Sequence, residues 1–203
     1  MVTSSQETGT TSSRLGEVVE ATSTGFTVNC YNLFEAAPLG ALVHTSGEAP
    51  VYAVVSGVET VPLDPTRKPV ARGQDEPDQE AVYRSNPQLP RLLRTDFQAT
   101  IVGHQGNGGI RYYLPSQPPR IHAFVYECEP QEMRAFTERL DFLPLLLTGA
   151  PPLTDEVAAA FLRQAATAHD DPNAFLLAAG RQVALRLSRD YQRLNTLLRS
   201  LQQ

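Results

Sequence analysis

The sequence predicts an α+β protein: a small N-terminal β-barrel of about six strands, a short helical insertion and a C-terminal helical region. Residues 16–58 read as four short strands separated by glycine and proline punctuation, before any helical period appears. A proline-rich stretch over 61–94 then breaks the strand pattern, and strands resume beyond it. From Pro130 onward the apolar spacing changes from two to three and four. The expected divisions are a disordered tail over 1–13, a barrel over 14–130 carrying the insertion 61–94, and helices over 131–203.

Each element has a local reason. Residues 1–13 are rich in Ser, Thr and Gly, and cannot bury enough apolar area to offset the entropy of ordering them. Gly16–Ala21 alternates around Val18 and Val19, and Gly25–Cys30 puts Phe26, Val28 and Cys30 on one face. The short link Thr22–Gly25 makes these two a hairpin. Pro38-Leu39-Gly40 opens a third strand, Ala41–His44, and Val51–Thr60 follows the turn Gly47–Pro50. Pro62, Pro65, Pro69, Pro77, Pro87 and Pro90 preclude a continuous strand through the insertion. Its acidic group Asp75, Glu76, Asp78 and Glu80 reads as a solvated loop or a helix N-terminus, with a cation site as the alternative, and short helical turns are expected at Glu80–Arg84 and Leu89–Arg94.

Strands return at Thr95–His104, Ile110–Leu114 and Ile121–Cys128, with Pro115–Arg120 as a rigid connection. Met133, Phe136, Leu140, Leu143 and Leu147 mark one amphipathic helix ending near Gly149. Thr154 reads as the N-cap of the next, with Asp155 and Glu156 at its positive end. Asp171-Pro172 opens a single long helix whose stripe Leu176, Gly180, Val183, Leu187, Tyr191, Leu194, Leu198 and Leu201 steps by three or four.

A net charge of −5 argues against whole-protein attraction to nucleic acid or to an anionic membrane. The first residues lack the apolar core of a signal peptide, and no run of about 18 apolar residues occurs, so a cytoplasmic location without a transmembrane segment is expected. Cys30 and Cys128 read as buried reduced thiols, with a disulfide or a metal pair as the alternative; no CxxC spacing exists. The glycine-rich run Gly103–Gly109 has neither the lysine nor the Ser/Thr of a phosphate-binding loop, and strand-like residues follow it, so it reads as a hairpin turn. The histidines at 44, 104, 122 and 169 stand in no HExxH context. His122 and Cys128 on one strand would lie ~20 Å apart, too far for one metal. No catalytic, cofactor-binding or metal-binding residue is assigned, and no cofactor is expected. An enzyme would need a site assembled in space, around His104, His122 or Asp96.

The last helix carries Arg181, Arg186, Arg189, Arg193 and Arg199 against Asp190 alone. These arginines either solubilise the apolar seam or dock an acidic partner. The residues assigned to a protein partner are Arg186, Arg189 and Arg193, with Tyr191. Nucleic acid is the weaker option because, Tyr191 excepted, aromatics are not interleaved with the arginines. Peripheral membrane contact is compatible with the charge but not indicated. Charge reversal at Arg186, Arg189 and Arg193 is expected to weaken partner capture and leave stability nearly intact.

The phrases GEVVEATSTGFTV (16–28), PLGALV (38–43) and VYAVVSG (51–57) resemble the HAS-barrel, the module shared by HerA-type translocases and the N-terminal region of ATP synthase catalytic-head subunits. NPQLPRLLRTDF (86–97) and PSQPPRIH (115–122) are similar to short stand-alone HAS-barrel proteins of cyanobacteria. The resemblance covers roughly residues 14–147 and implies a barrel that supports assembly and does no chemistry. ATP binding in those motors belongs to a separate domain whose Walker A pattern is absent here. The expected function is therefore a non-catalytic adaptor that binds a protein through the barrel and the C-terminal helices. The alternative is an accessory or regulatory subunit of a separately encoded ATPase, DNA translocase or other large assembly.

Overall fold

The computed structural model describes residues 14–149 and 153–202; the tail expected over 1–13 lies outside the described residues. The architecture is α+β, with a seven-stranded antiparallel sheet and a helical layer. The strands are β1 (Arg14–Ala21), β2 (Gly25–Cys30), β3 (Leu42–Thr45), β4 (Val51–Pro62), β5 (Leu93–Gly106), β6 (Gly109–Arg111) and β7 (Phe124–Glu127). The helices are α1 (Gln79–Ser85), α2 (Pro130–Thr137), α3 (Leu143–Leu146), α4 (Leu153–Thr167), α5 (Pro172–Arg186) and α6 (Tyr191–Ser200), with a 3-10 turn at Leu89–Leu92.

Hydrogen-bonded neighbours run β2-β1-β7-β3-β4-β5, and β5 pairs again with β2 through Gly25↔Thr100 to Asn29↔Asp96. Six strands thus pair in a cycle, with β6 added at the far end of β5. The expected hairpin of β1 and β2 is held by Thr22, whose hydroxyl oxygen accepts from the Gly25 amide at 3.1 Å. Asn107-Gly108 turns β5 into β6, as the glycine-rich run predicts; Gly108 takes φ +87°, where a side chain is disfavoured.

The alternating period of the strands separates two cores. Val18, Phe26, Val28, Val43, Ala53, Val55, Phe97, Ala99, Ile101 and Val125 come from all six strands of the cycle and form one buried cluster, which among the described residues no helix enters. On the other face, Leu42, Val54 and Val102 pack beneath the helices. Rings step from Tyr52 of β4 to Phe136 (5.2 Å), Phe142 (5.3 Å) and Phe161 of α4 (5.2 Å). Each such pair adds about 0.5–1.5 kcal/mol beyond its burial, so this aromatic chain binds the helices to the sheet as one unit. Helix α4 lies between the sheet and the outer pair α5 and α6. At Gly40 the chain passes so close to α4 that a Cβ would stand 2.6 Å from the Phe161 amide nitrogen, and its φ of +84° favours glycine as well.

The insertion behaves locally as its composition suggests. Asp78 caps α1 by accepting from the Ala81 amide at 2.7 Å, with Glu80 in the first turn. Strands β4 and β5 reach further into it than expected, pairing out to Pro62↔Leu93, because Pro62 stands at the last rung and breaks nothing.

Further helical and strand boundaries differ from expectation. The helix expected through Met133–Leu147 is interrupted after Thr137, whose hydroxyl back-bonds to the Met133 carbonyl at 2.7 Å, and helix resumes only at Leu143. Thr154 lies inside α4, which begins by Leu153, and so is not its cap. The single helix expected from Pro172 onward is two: α5 closes at Leu187, and Asp190 starts α6 by accepting from the Arg193 amide at 3.0 Å. Lastly, His122 is outside β7, at φ +66°, and does not share a strand with Cys128. Among the described residues, no helix is long and apolar enough to cross a membrane.

Candidate functional site

The break at 187–190 redistributes the residues assigned to a partner. Arg186 ends α5, Arg189 lies in the turn and Tyr191 opens α6, all three exposed, Tyr191 at 74%. Arg193 goes elsewhere. Its guanidinium donates to both oxygens of Asp155 at 2.8 and 3.0 Å and to the Leu147 carbonyl at 2.9 Å, with its side chain only 16% and that of Asp155 4% exposed. The Asp155 hydrogen bond holds the Arg193 guanidinium above its ordinary range. Two further clasps join α6 to α4: Arg163 donates to the Ser200 carbonyl, and the Ser200 hydroxyl donates to Glu156 at 3.0 Å. Arg193 is thus held within the fold, unlike the exposed Arg186 and Arg189.

Around this corner the surface is basic and apolar together. Asp171 and Asp190 are both taken up as helix caps, while Arg181, Arg186, Arg189 and Arg199 are exposed. Helix α5 buries Phe175, Ala179 and Val183 inward yet exposes Leu177 at 58% and Leu185 at 69%. Beside it runs an apolar groove of about 820 Å³ lined by Leu176, Leu177, Gly180, Ala184 and Leu198, with Arg163 and Arg181 at its edge. Such an arrangement suits a partner segment with an apolar face and acidic flanks.

A second constellation joins residues far apart in sequence. Strand β3 pairs with β7 through His44↔Tyr126 and Val43↔Glu127, which brings His44 beside the chain leaving β7 at Cys128. Helix α2 begins there, and its Glu132 returns over the same spot. The ligand atoms of His44, Cys128 and Glu132 all lie within 4.8 Å of one another, with His44 Nε2 to Glu132 Oε1 at 3.8 Å. Burial first, then the carboxylates of Glu132 and Glu127, push the Cys128 thiol up, so it is not poised as a free nucleophile. Cys30, buried near Asp96, is pushed up to about 11 by burial and by that carboxylate. Spacing arguments confined to His122 and Cys128 missed this trio. The only local signal was Glu129-Pro130 with Glu132, a capping box that fixes where α2 starts.

The remaining histidines are held separately. His104 and His122 border one cleft of about 810 Å³. His104 Nδ1 donates to the Tyr113 carbonyl at 3.1 Å, whereas His122 Nδ1 pairs with Glu17 at 2.8 Å. Asp96 is engaged by Asn29 Nδ2 at 2.7 Å and by Arg94 at 2.9 Å. No protein-family model matches this chain, and no curated protein does either.

Proposed function

We propose that this protein is a non-catalytic adaptor, a HAS-type barrel bearing a helical layer whose outer face docks an acidic, apolar-faced segment of a protein partner. The observation that carries the reading is the double-sided character of α5. Its inner stripe, Phe175, Ala179 and Val183, is buried within the helical core, while Leu177 and Leu185 keep 58% and 69% of their surface exposed. A helix apolar on two sides is stabilised by burial on both. The adjoining groove and the arginines at 181, 186, 189 and 199 define what fits there. The cycle of six pairings around its own side-chain core supports the barrel as a rigid platform for that face.

The test compares the chain with Leu177→Asp/Leu185→Asp and with Arg186→Glu/Arg189→Glu as baits in extracts of its native cells. Proteins captured by the natural chain and lost from both variants, at unchanged melting temperature, are the expected result. An identical set on all three baits would overturn the proposal. A hexameric ATPase among the lost proteins would make the adaptor that motor's accessory subunit.

A further inference from the structure

We propose that His44 Nε2, Cys128 Sγ and Glu132 Oε1 bind a zinc-class divalent cation, clasping the strand cycle to the first helix of the helical layer. A tetrahedral zinc takes sulfur at about 2.3 Å and nitrogen or oxygen at about 2.0–2.2 Å, which sets its ligand atoms roughly 3.3–3.8 Å apart. The His44–Glu132 edge is already 3.8 Å, and no edge of the triangle exceeds 4.8 Å. Closing the longest possible edge takes about 1 Å, within reach of the side-chain torsions. One imidazole, one thiolate and one carboxylate are a donor set suited to zinc, and they leave a fourth position for water or a ligand from outside.

The surroundings fix these donors as a metal site requires. His44 Nδ1 lies 3.3 Å from the Thr45 carbonyl. A carbonyl only accepts, so with Nδ1 as the donor to it the Nε2 lone pair is available to a cation beside Cys128 and Glu132. Tyr126 stacks on the ring at 5.5 Å and 17°, restricting its rotation. Glu132 Oε2 accepts from the Glu129 amide at 2.9 Å, which anchors the carboxylate and frees Oε1 for the cation. The Cys128 amide donates to the Leu42 carbonyl at 2.9 Å, holding the cysteine beside β3. The His44 and Glu132 side chains keep 21% and 41% of their surface exposed, which gives an ion a path in. Binding displaces one proton from the thiol and involves no redox change. Cys30 lies in the other core and is the internal control.

The experiment titrates the chelator-treated full chain with Zn²⁺ by calorimetry and with Co²⁺ by absorption. One equivalent is expected, with a sulfur-to-cobalt charge-transfer band, the strong visible bands of a tetrahedral ion, and a raised melting temperature. Cys30→Ser should retain all of these. Cys128→Ser should abolish the charge-transfer band, and His44→Gln and Glu132→Gln should each weaken binding by about tenfold or more. Gln at 132 preserves the capping box, so a loss there is not a loss of the helix. Absence of stoichiometric uptake overturns the proposal, as does a charge-transfer band that persists in Cys128→Ser or an affinity unchanged in His44→Gln and Glu132→Gln. Should Cys128→Ser fail to fold, the other two variants decide.

Discussion

Arg193 shows how a residue's role depends on one neighbour. From sequence it belongs to a basic helix; in the fold its guanidinium satisfies Asp155, which is nearly inaccessible to water. Removing one member of such a pair leaves the other charge buried, at a cost of about 3–5 kcal/mol. Arg193→Ala should therefore lower the urea midpoint markedly, while Arg186→Ala and Arg189→Ala stay within about 0.5 kcal/mol of the natural chain. Equal, negligible effects at all three positions would show the Asp155 contact to be idle. His169 makes a second prediction at this scale. It bonds Thr137 Oγ1 at 2.8 Å and stacks on Phe175 at 4.3 Å, and burial, aided by Arg134, lowers its pKa below 6.5. Below the unfolded value the unfolded chain holds more protons than the folded one, so stability is full above pH 6.5 and falls as pH drops through the lowered folded value. Melting at about pH 7.5 and about pH 5 should show a larger acid loss for the natural chain than for His169→Gln. The same loss in both would remove His169 from the pH response.

Among the elements, strands were more legible than helices. Alternation with a period of two is a local property, so Gly25–Cys30 is found with both boundaries as read, and the hairpin at Asn107-Gly108 follows from its glycines. A stripe stepping by three or four fixes a face but not the continuity of an axis. Leu187, Tyr191, Leu194 and Leu198 keep their spacing across the turn where Asp190 ends one helix direction and caps the next. The signal was present: an aspartate three residues before Arg193, after a Ser-Arg pair, is a cap. The trio at His44, Cys128 and Glu132 was not legible, because only the β3–β7 pairing and the start of α2 bring it together. Gly40 tests how these elements dock. Gly40→Ala forces a positive φ on alanine, a cost of about 1–3 kcal/mol, and drives its Cβ into the α4 backbone. The variant should unfold at clearly lower denaturant, whereas Gly47→Ala, also at positive φ but with no atom within 4 Å, should lose less. Equal losses would mean that φ alone matters and that the approach to α4 is slack.

At the scale of the whole molecule, two cores share one sheet. The cluster inside the six-strand cycle is complete without the helices, and the helical core is completed by the other face of β3, β4 and β5. The helices consequently pack on one face of the sheet, with α4 in the middle and α5 and α6 outermost. Among the described residues, the outer face of α5 stays exposed at Leu177 and Leu185, and Leu177 lines a groove together with Arg163 and Arg181. We propose that this face is a protein-docking surface. It is tested most directly by placing a photo-crosslinking amino acid at position 177 in living cells, with Glu48, exposed in the turn before β4, as the control position. A discrete crosslinked protein from position 177, absent from position 48 and lost on Arg186→Glu/Arg189→Glu, is the predicted result. No crosslink at 177, or the same products from both positions, would contradict it.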